Sequence, residues 1–116
     1  MTQVSIDQYQ TILENLVQKT RPKVKGLILM TPFFIEPNPE DPMRKMMDAY
    51  SSAVKEIATR NNTLFVNTQA AFEEFLARRS SQSLCGDRVH PNEIGHAILA
   101  KAFLNAVGFE WSRSAA

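Results

Sequence analysis

Two short apolar runs constrain the fold of this chain more than anything else in it. Leu27-Ile28-Leu29-Met30 and Leu64-Phe65-Val66 do not alternate with polar residues, so neither reads as a strand with one wet face. Runs of this kind belong to parallel sheets covered by helices on both faces. The intervening segments carry helical signals. Ser5 and Gln8 form an S-x-x-Q capping box, with Val4 and Tyr9 placed as a hydrophobic staple. Ile6, Tyr9, Leu13, Leu16 and Val17 then share one helical face, and Pro22 stops the helix. Residues 32–42 hold four prolines and read as an irregular loop, after which Asp41-Pro42 is an N-cap with proline at N1. Met43, Met46, Met47, Tyr50, Val54 and Ile57 make the next stripe, which Asn61 and Asn62 can end. Thr68 is placed to cap a third helix bearing Ala71, Phe72, Phe75 and Leu76. A polar loop, Ser80 to Val89, leads to Pro91, which opens a last helix with the stripe Ile94, Ile98, Leu99, Ala102, Phe103 and Ala106. Gly108 suits its C′ position.

The order α-β-α-β-α-loop-α argues for an α/β fold with a parallel sheet. Two strands cannot make the interior of a doubly covered sheet, because each keeps an unpaired side. The pattern therefore describes part of a sheet. One hundred and sixteen residues nevertheless suffice for a single domain with a core.

Composition removes several functional classes. With 13 Lys and Arg against 12 Asp and Glu, the net charge of +1 gives no global field to hold nucleic acid. No apolar run approaches the ~20 residues of a membrane span. Residues Met1 to Gln10 lack the basic and apolar regions of a signal peptide, and the lone Cys85 cannot form an internal disulfide. A soluble, cytoplasmic protein is expected.

Candidate chemistry concentrates in Gly86-Asp87-Arg88-Val89-His90-Pro91-Asn92-Glu93-Ile94-Gly95-His96. Asp87 and His90 lie three apart on a loop entering a helix. A carboxylate so placed can hold an imidazole in one tautomer and stabilise the imidazolium formed on proton transfer. D-x-x-H before a helix is equally a cap beside a surface histidine. Asp87, His90 and His96, with Cys85, are also the candidate metal ligands, but their spacing matches no zinc pattern such as C-x2-C or H-E-x-x-H. Phe33 and Phe34 follow the first apolar run, where sites of α/β proteins gather; a pocket wall and loop packing are both open for them.

The block D-R-V-H-P-N-E-I-G-H, followed by A-I-L-A-K-A-F-L-N-A-V-G, resembles the last motif of the SGNH hydrolases, the GDSL esterase/lipase family. The runs L-I-L-M-T-P-F-F and L-F-V-N-T-Q-A-A-F are similar to that family too, so the likeness extends from about Val4 to Phe109. It implies a partial flavodoxin-like three-layer parallel sheet with two strands and about four helices here. The implied activity is that of a serine carboxylic ester hydrolase, with a small-molecule ester as substrate and no metal or cofactor. Asp87 would orient the base, His90 would be the base, and Pro91, Asn92, Gly95 and His96 would shape the turn and helix around it. Phe33 and Phe34 would line the acyl pocket.

The departures are large. No G-D-S nucleophile motif and no G-x-N-D block occur, and the only glycines are Gly26, Gly86, Gly95 and Gly108. Ser5 is a predicted cap, Ser51 and Ser52 fall mid-helix, and Ser80, Ser81, Ser83, Ser112 and Ser114 lie outside any strand-to-helix turn that would expose a nucleophile. The expectation is that residues 1–116 are one unit, the C-terminal half of an SGNH hydrolase domain, with Met1 internal to a longer chain. Alone it is expected to be inactive. Its open sheet edge is expected to pair with the N-terminal half or with a second copy, and a purely associative module is the alternative function.

Overall fold

The computed structural model describes residues 4–80, 84 and 87–108. Along them run α1 (Ile6–Thr20), β1 (Ile28–Met30), α2 (Pro42–Asn61), β2 (Leu64–Val66), α3 (Thr68–Leu76) and α4 (Glu93–Ala106). A single turn of 3-10 helix, Arg21–Lys23, follows α1. The strands pair in parallel, with Ile28 opposite Leu64, Leu29 opposite Phe65 and Met30 opposite Val66. Two parallel strands and four helices are the α/β part-sheet that the apolar runs predict. Ser81, Ser83, Cys85, Gly86, Phe109, Ser112 and Ser114 lie outside the described residues.

Helix boundaries follow local chemistry. Ser5 and Gln8 close the capping box in both directions, at 3.1 and 3.2 Å. The Asp41 carboxylate accepts from the N–H groups of Met43 and Arg44, satisfying two of the donors orphaned at the start of α2. Asn62 ends α2 in the left-handed conformation, φ 56°, a role asparagine tolerates. Gly108, at φ 82°, takes the C′ position after α4. Two predicted starts shift by one or two residues. Asn67, not Thr68, caps α3, because its side chain reaches Ala70 N–H and frees Thr68 to turn inward. Pro91 precedes α4 rather than opening it, since Asn92 is the cap, accepting from Gly95 N–H at 3.0 Å.

Two clusters of buried side chains make the core. Leu29, Val17, Val54, Ile57 and Ala58 join α1 and α2 to the sheet, with Tyr9, Leu13 and Phe65 packed around them. Ile35, Phe72, Leu76 and Leu84 form the second, against Phe33, Phe75, Ile98 and Leu99. Hydrogen bonds tie α1 to the end of α2, where Arg21 donates to the Asn61 carbonyl at 2.6 Å and Asn61 donates to Glu14. The Tyr9 and Tyr50 rings meet edge to face, 4.7 Å apart.

The predicted stripes are only partly buried. Leu16, Met43, Ile94 and Phe103 are exposed, and Arg44 is buried in place of Met43. The strands are not covered on both faces either. Met30 and Leu64 stay 40% and 46% exposed, while Leu29 and Val66 are buried. Burial depends on what packs against a run, and among the described residues Met30 and Leu64 are only partly covered.

The C-terminal ends of the two strands are locked by a buried pair of threonines. Thr31 N–H donates to the Val66 carbonyl at 3.0 Å. Thr68 N–H donates to Thr31 Oγ1 at 3.0 Å, and Thr68 Oγ1 donates to the Thr31 carbonyl at 2.7 Å. The two hydroxyls lie 2.9 Å apart. Replacing Thr68 with valine keeps the shape and removes the donor to a buried carbonyl, the costly way to break a hydrogen bond. Thr68→Val is expected to lower the unfolding free energy by about 1–3 kcal/mol, read as a lower urea midpoint at unchanged slope.

Candidate active site

Asp87 and His90 come together on the loop before α4. His90 Nδ1 lies 2.5 Å from Asp87 Oδ2. The other carboxylate oxygen, Oδ1, accepts from the N–H groups of Val89 at 2.9 Å and His90 at 2.8 Å. The hydrogen bond from His90, then the backbone donors of His90 and Val89, hold the Asp87 carboxyl well below the usual carboxylate range. An ionised Asp87 only accepts, so the hydrogen on the shared bond belongs to His90 Nδ1. In the neutral ring Nε2 is then left without a hydrogen, free to take one. The His90 and Asp87 side chains are 85% and 54% exposed. The pair therefore stands on open surface. A groove of about 610 Å³ lies between α3 and α4, lined by Phe75, Arg78, Ile98 and Lys101 among others, but neither Asp87 nor His90 lines it.

The surrounding residues fix the loop from below. Asn92 N–H donates to the Leu84 carbonyl at 2.5 Å, and His96 N–H donates to the Asn92 carbonyl at 2.8 Å. Gly95 is buried where a Cβ would stand 2.5 Å from Pro91 Cβ and 3.2 Å from the Leu84 carbonyl oxygen. The His96 side chain is exposed on the first turn of α4. Arg88, between the two site residues, has φ 67°, a conformation costing a non-glycine residue roughly 1–3 kcal/mol. Its guanidinium lies 4.9 Å from the centre of the Phe34 ring and 2.7 Å from Glu36 Oε1. Phe34 is itself buried, and its N–H donates to Gln69 Oε1 at 2.8 Å. Phe33 is half-buried, its ring 4.9 Å from that of Phe72.

Sequence reasoning singled out Asp87, His90 and their helical supports, but not Glu36, Arg44 or Gln69. The signal for Arg88 was its place inside the D-R-V-H run; its left-handed backbone had none. Ser51 and Ser52 donate to the carbonyls of Met47 and Asp48, and Ser51 also to that of Pro32, so both hydroxyls are committed to backbone. Among the described residues no three His, Cys, Asp or Glu side chains gather as a metal site, and Cys85 lies outside them. No helix among them is long and apolar enough to cross a membrane.

A two-stranded parallel part-sheet flanked by helices, with an Asp-His pair on the loop before the last of them, is a portion of an α/β domain. The chain belongs to the GDSL-like lipase/acylhydrolase family, whose sequence model matches residues 1–98. An acetylxylan esterase of Geobacillus stearothermophilus is 56% identical over 111 residues, which span 96% of this chain and 51% of that relative. Its crystal structure superposes with a TM-score of 0.91, over 93% of this chain and 49% of the other. An α/β hydrolase from the metagenome of Lake Arreo, Spain, 45% identical, gives a TM-score of 0.90 over 91% of this chain and 49% of that one. This chain thus spans about half the length of the relatives it matches. Solved variants of the Geobacillus enzyme described as catalytic mutants replace a serine, an aspartate and a histidine, the last two three positions apart.

Two outcomes are expected from this geometry. Gly95→Ala gains up to about 1 kcal/mol of helix propensity but drives a methyl group into a rigid proline ring, a strain of about 1–3 kcal/mol, so the net effect is destabilising. A lower thermal midpoint checks it. Asp87 has a depressed native pKa, so its contribution to stability is present above the ordinary aspartate value of about 3.9 and is lost as pH falls through the lower native value. Carboxyl NMR titration is expected to give a midpoint below that ordinary value, and Asp87→Asn to flatten this part of the stability profile.

Proposed function

We propose that residues 1–116 are a single unit, the C-terminal portion of the catalytic domain of a serine carboxylic ester hydrolase, a GDSL-type esterase. The observation that carries this is the 2.5 Å bond from His90 Nδ1 to Asp87, with the carboxylate fixed by two backbone donors. The pair supplies the base half of a triad. His90 Nε2 takes the proton of a serine hydroxyl as that oxygen attacks the ester carbonyl; Asp87 stabilises the imidazolium; the proton then goes to the leaving alcohol. The same ring next deprotonates a water that attacks the acyl-enzyme and releases the acid. Nucleophile and oxyanion donors come from the N-terminal half, so the isolated chain is inactive.

Pro91, Asn92, Gly95 and His96 support the pair by setting the start of α4. Phe33, half-buried, has surface to offer an acyl group, whereas Phe34 is closed over by Arg88. The 56% identity to an acetylxylan esterase favours acetyl esters of a xylan-type polysaccharide over long-chain lipids as substrates.

A second reading is favoured by the exposure of Met30 and Leu64 on a two-stranded sheet. Through that sheet the chain associates with the N-terminal half or with a copy of itself. A clean monomer at high concentration, by sizing with light scattering, speaks against self-association.

The deciding assay uses a short-chain aryl acetate and acetylated xylo-oligosaccharides. The chain alone is expected to turn over neither. Adding an N-terminal half bearing a G-D-S serine is expected to restore activity, and His90→Ala in the pair to lower kcat at least ~1,000-fold. Robust turnover by this chain alone, with labelling by a serine-directed phosphonate, overturns the proposal.

A further inference from the structure

The Asp87–His90 geometry depends on the residue between them. Val89 N–H and His90 N–H can both reach Asp87 Oδ1 because the chain turns back at Arg88, at φ 67°. Arginine does not choose that conformation, so something outside the loop imposes it. Three restraints come from residues 34–36. The Ile35 N–H donates to the Arg88 carbonyl at 2.9 Å, the Phe34 ring lies under the guanidinium, and Glu36 Oε1 holds Arg88 Nη1 at 2.7 Å. Asp41 Oδ2 stands farther off, at 3.9 Å.

Glu36 is itself oriented. Its second oxygen accepts from Asn38 N–H at 3.1 Å, and its side chain is only 17% exposed, so this is a partly sheltered ion pair rather than a solvated one. The backbone beneath it is clamped by Arg44, a buried cation whose Nη1 donates to the carbonyls of Glu36 and Pro37, and whose other nitrogens engage Asp48 and Glu73. A charged contact reaching from a clamped loop to the residue that follows Asp87 in D-x-x-H is more than surface decoration.

We propose that Glu36 is a positioning residue for the Asp87–His90 pair, acting through Arg88, whose turned backbone it latches to the loop after β1. It touches neither the imidazole nor any substrate. Its contribution is to keep the Asp87 carboxylate and the His90 ring in register with each other. The proposal deepens the esterase reading and rests on it for its consequence in catalysis, but the latch can be tested on this chain without turnover.

The test compares Glu36→Gln, Glu36→Asp and Arg88→Gly in the full 116-residue chain. Arg88→Gly accepts the backbone conformation without strain yet deletes the latch. NMR reads the Asp87 carboxyl titration and the exchange of the His90 Nδ1 proton, with thermal unfolding as the control for global damage. In Glu36→Gln the direction of the Asp87 shift discriminates, whereas Arg88→Gly, which also removes a cation beside the carboxylate, is read through the ring-proton exchange. Removing a nearby negative charge, by itself, lowers a carboxyl pKa, whereas loss of its hydrogen-bond donors raises it. Glu36→Gln and Arg88→Gly are expected to move the Asp87 midpoint upward, toward about 3.9, and to speed ring-proton exchange ~10-fold, at an unfolding midpoint close to the parent's. Glu36→Asp, charged but one methylene short, is expected to fall between. A downward or absent Asp87 shift in Glu36→Gln, with unchanged exchange in both variants, overturns the proposal. In the complex with a serine-bearing N-terminal half, Glu36→Gln is expected to lower kcat ~10-fold at unchanged KM. Loss of the NMR signatures in the variants, with no turnover by the parent complex, would uphold the latch and refute the esterase reading.

Discussion

The buried pair Thr31–Thr68 is the contact on which the rest of the structure hangs. It closes the parallel strands at the ends from which the functional loops depart. From Thr31 the chain runs outward as residues 32–41, and from Thr68 it turns into α3. Because the two departures are pinned side by side, Phe34 reaches Gln69, and Ile35 packs with Phe72, Leu76 and Leu84. That cluster is the floor on which α4 and the Asp87–His90 loop rest. A hydroxyl pair buried at a sheet end is costly unless fully bonded, and here each hydroxyl has partners.

Electrostatics at the site divide into two kinds. Asp87 is strongly perturbed although it is exposed, because three hydrogens converge on one carboxylate. Arg44 is buried, and it is tolerated because two carbonyls and two carboxylates surround it. The first arrangement fixes the orientation and charge of a surface carboxylate. The second holds a loop in place.

Much of the fold was legible because its signals are local. Ser5-x-x-Gln8, Asp41-Pro42, Asn62 and Gly108 act within a turn of themselves, and each marks its helix end as expected. Asp87 and His90 were legible from a spacing of three and from the family block around them. The features that were not legible join distant segments. Thr31 meets Thr68 across 37 positions and Arg88 meets Glu36 across 52. The stripe containing Met43 predicted the wrong inward residue, since the carbonyls of Glu36 and Pro37 and the Glu73 carboxylate draw Arg44 in instead. Burial of the apolar runs was overestimated because it depends on covering elements that no local pattern reveals.

The three-residue separation of Asp87 and His90 has a kinetic meaning as well. Closing so short a loop costs little chain entropy, and most of its hydrogen bonds lie within the loop itself. The contacts between Asp87 and His90 can form at the pace of a turn, whereas the turned backbone of Arg88 is completed only when residues 34–36 arrive. On the esterase reading proposed above, such a domain divides its chemistry along its length, with bond-making groups in one half and a proton relay in the other. On that reading the relay can be kept while the half that faces it is remodelled for new acyl groups.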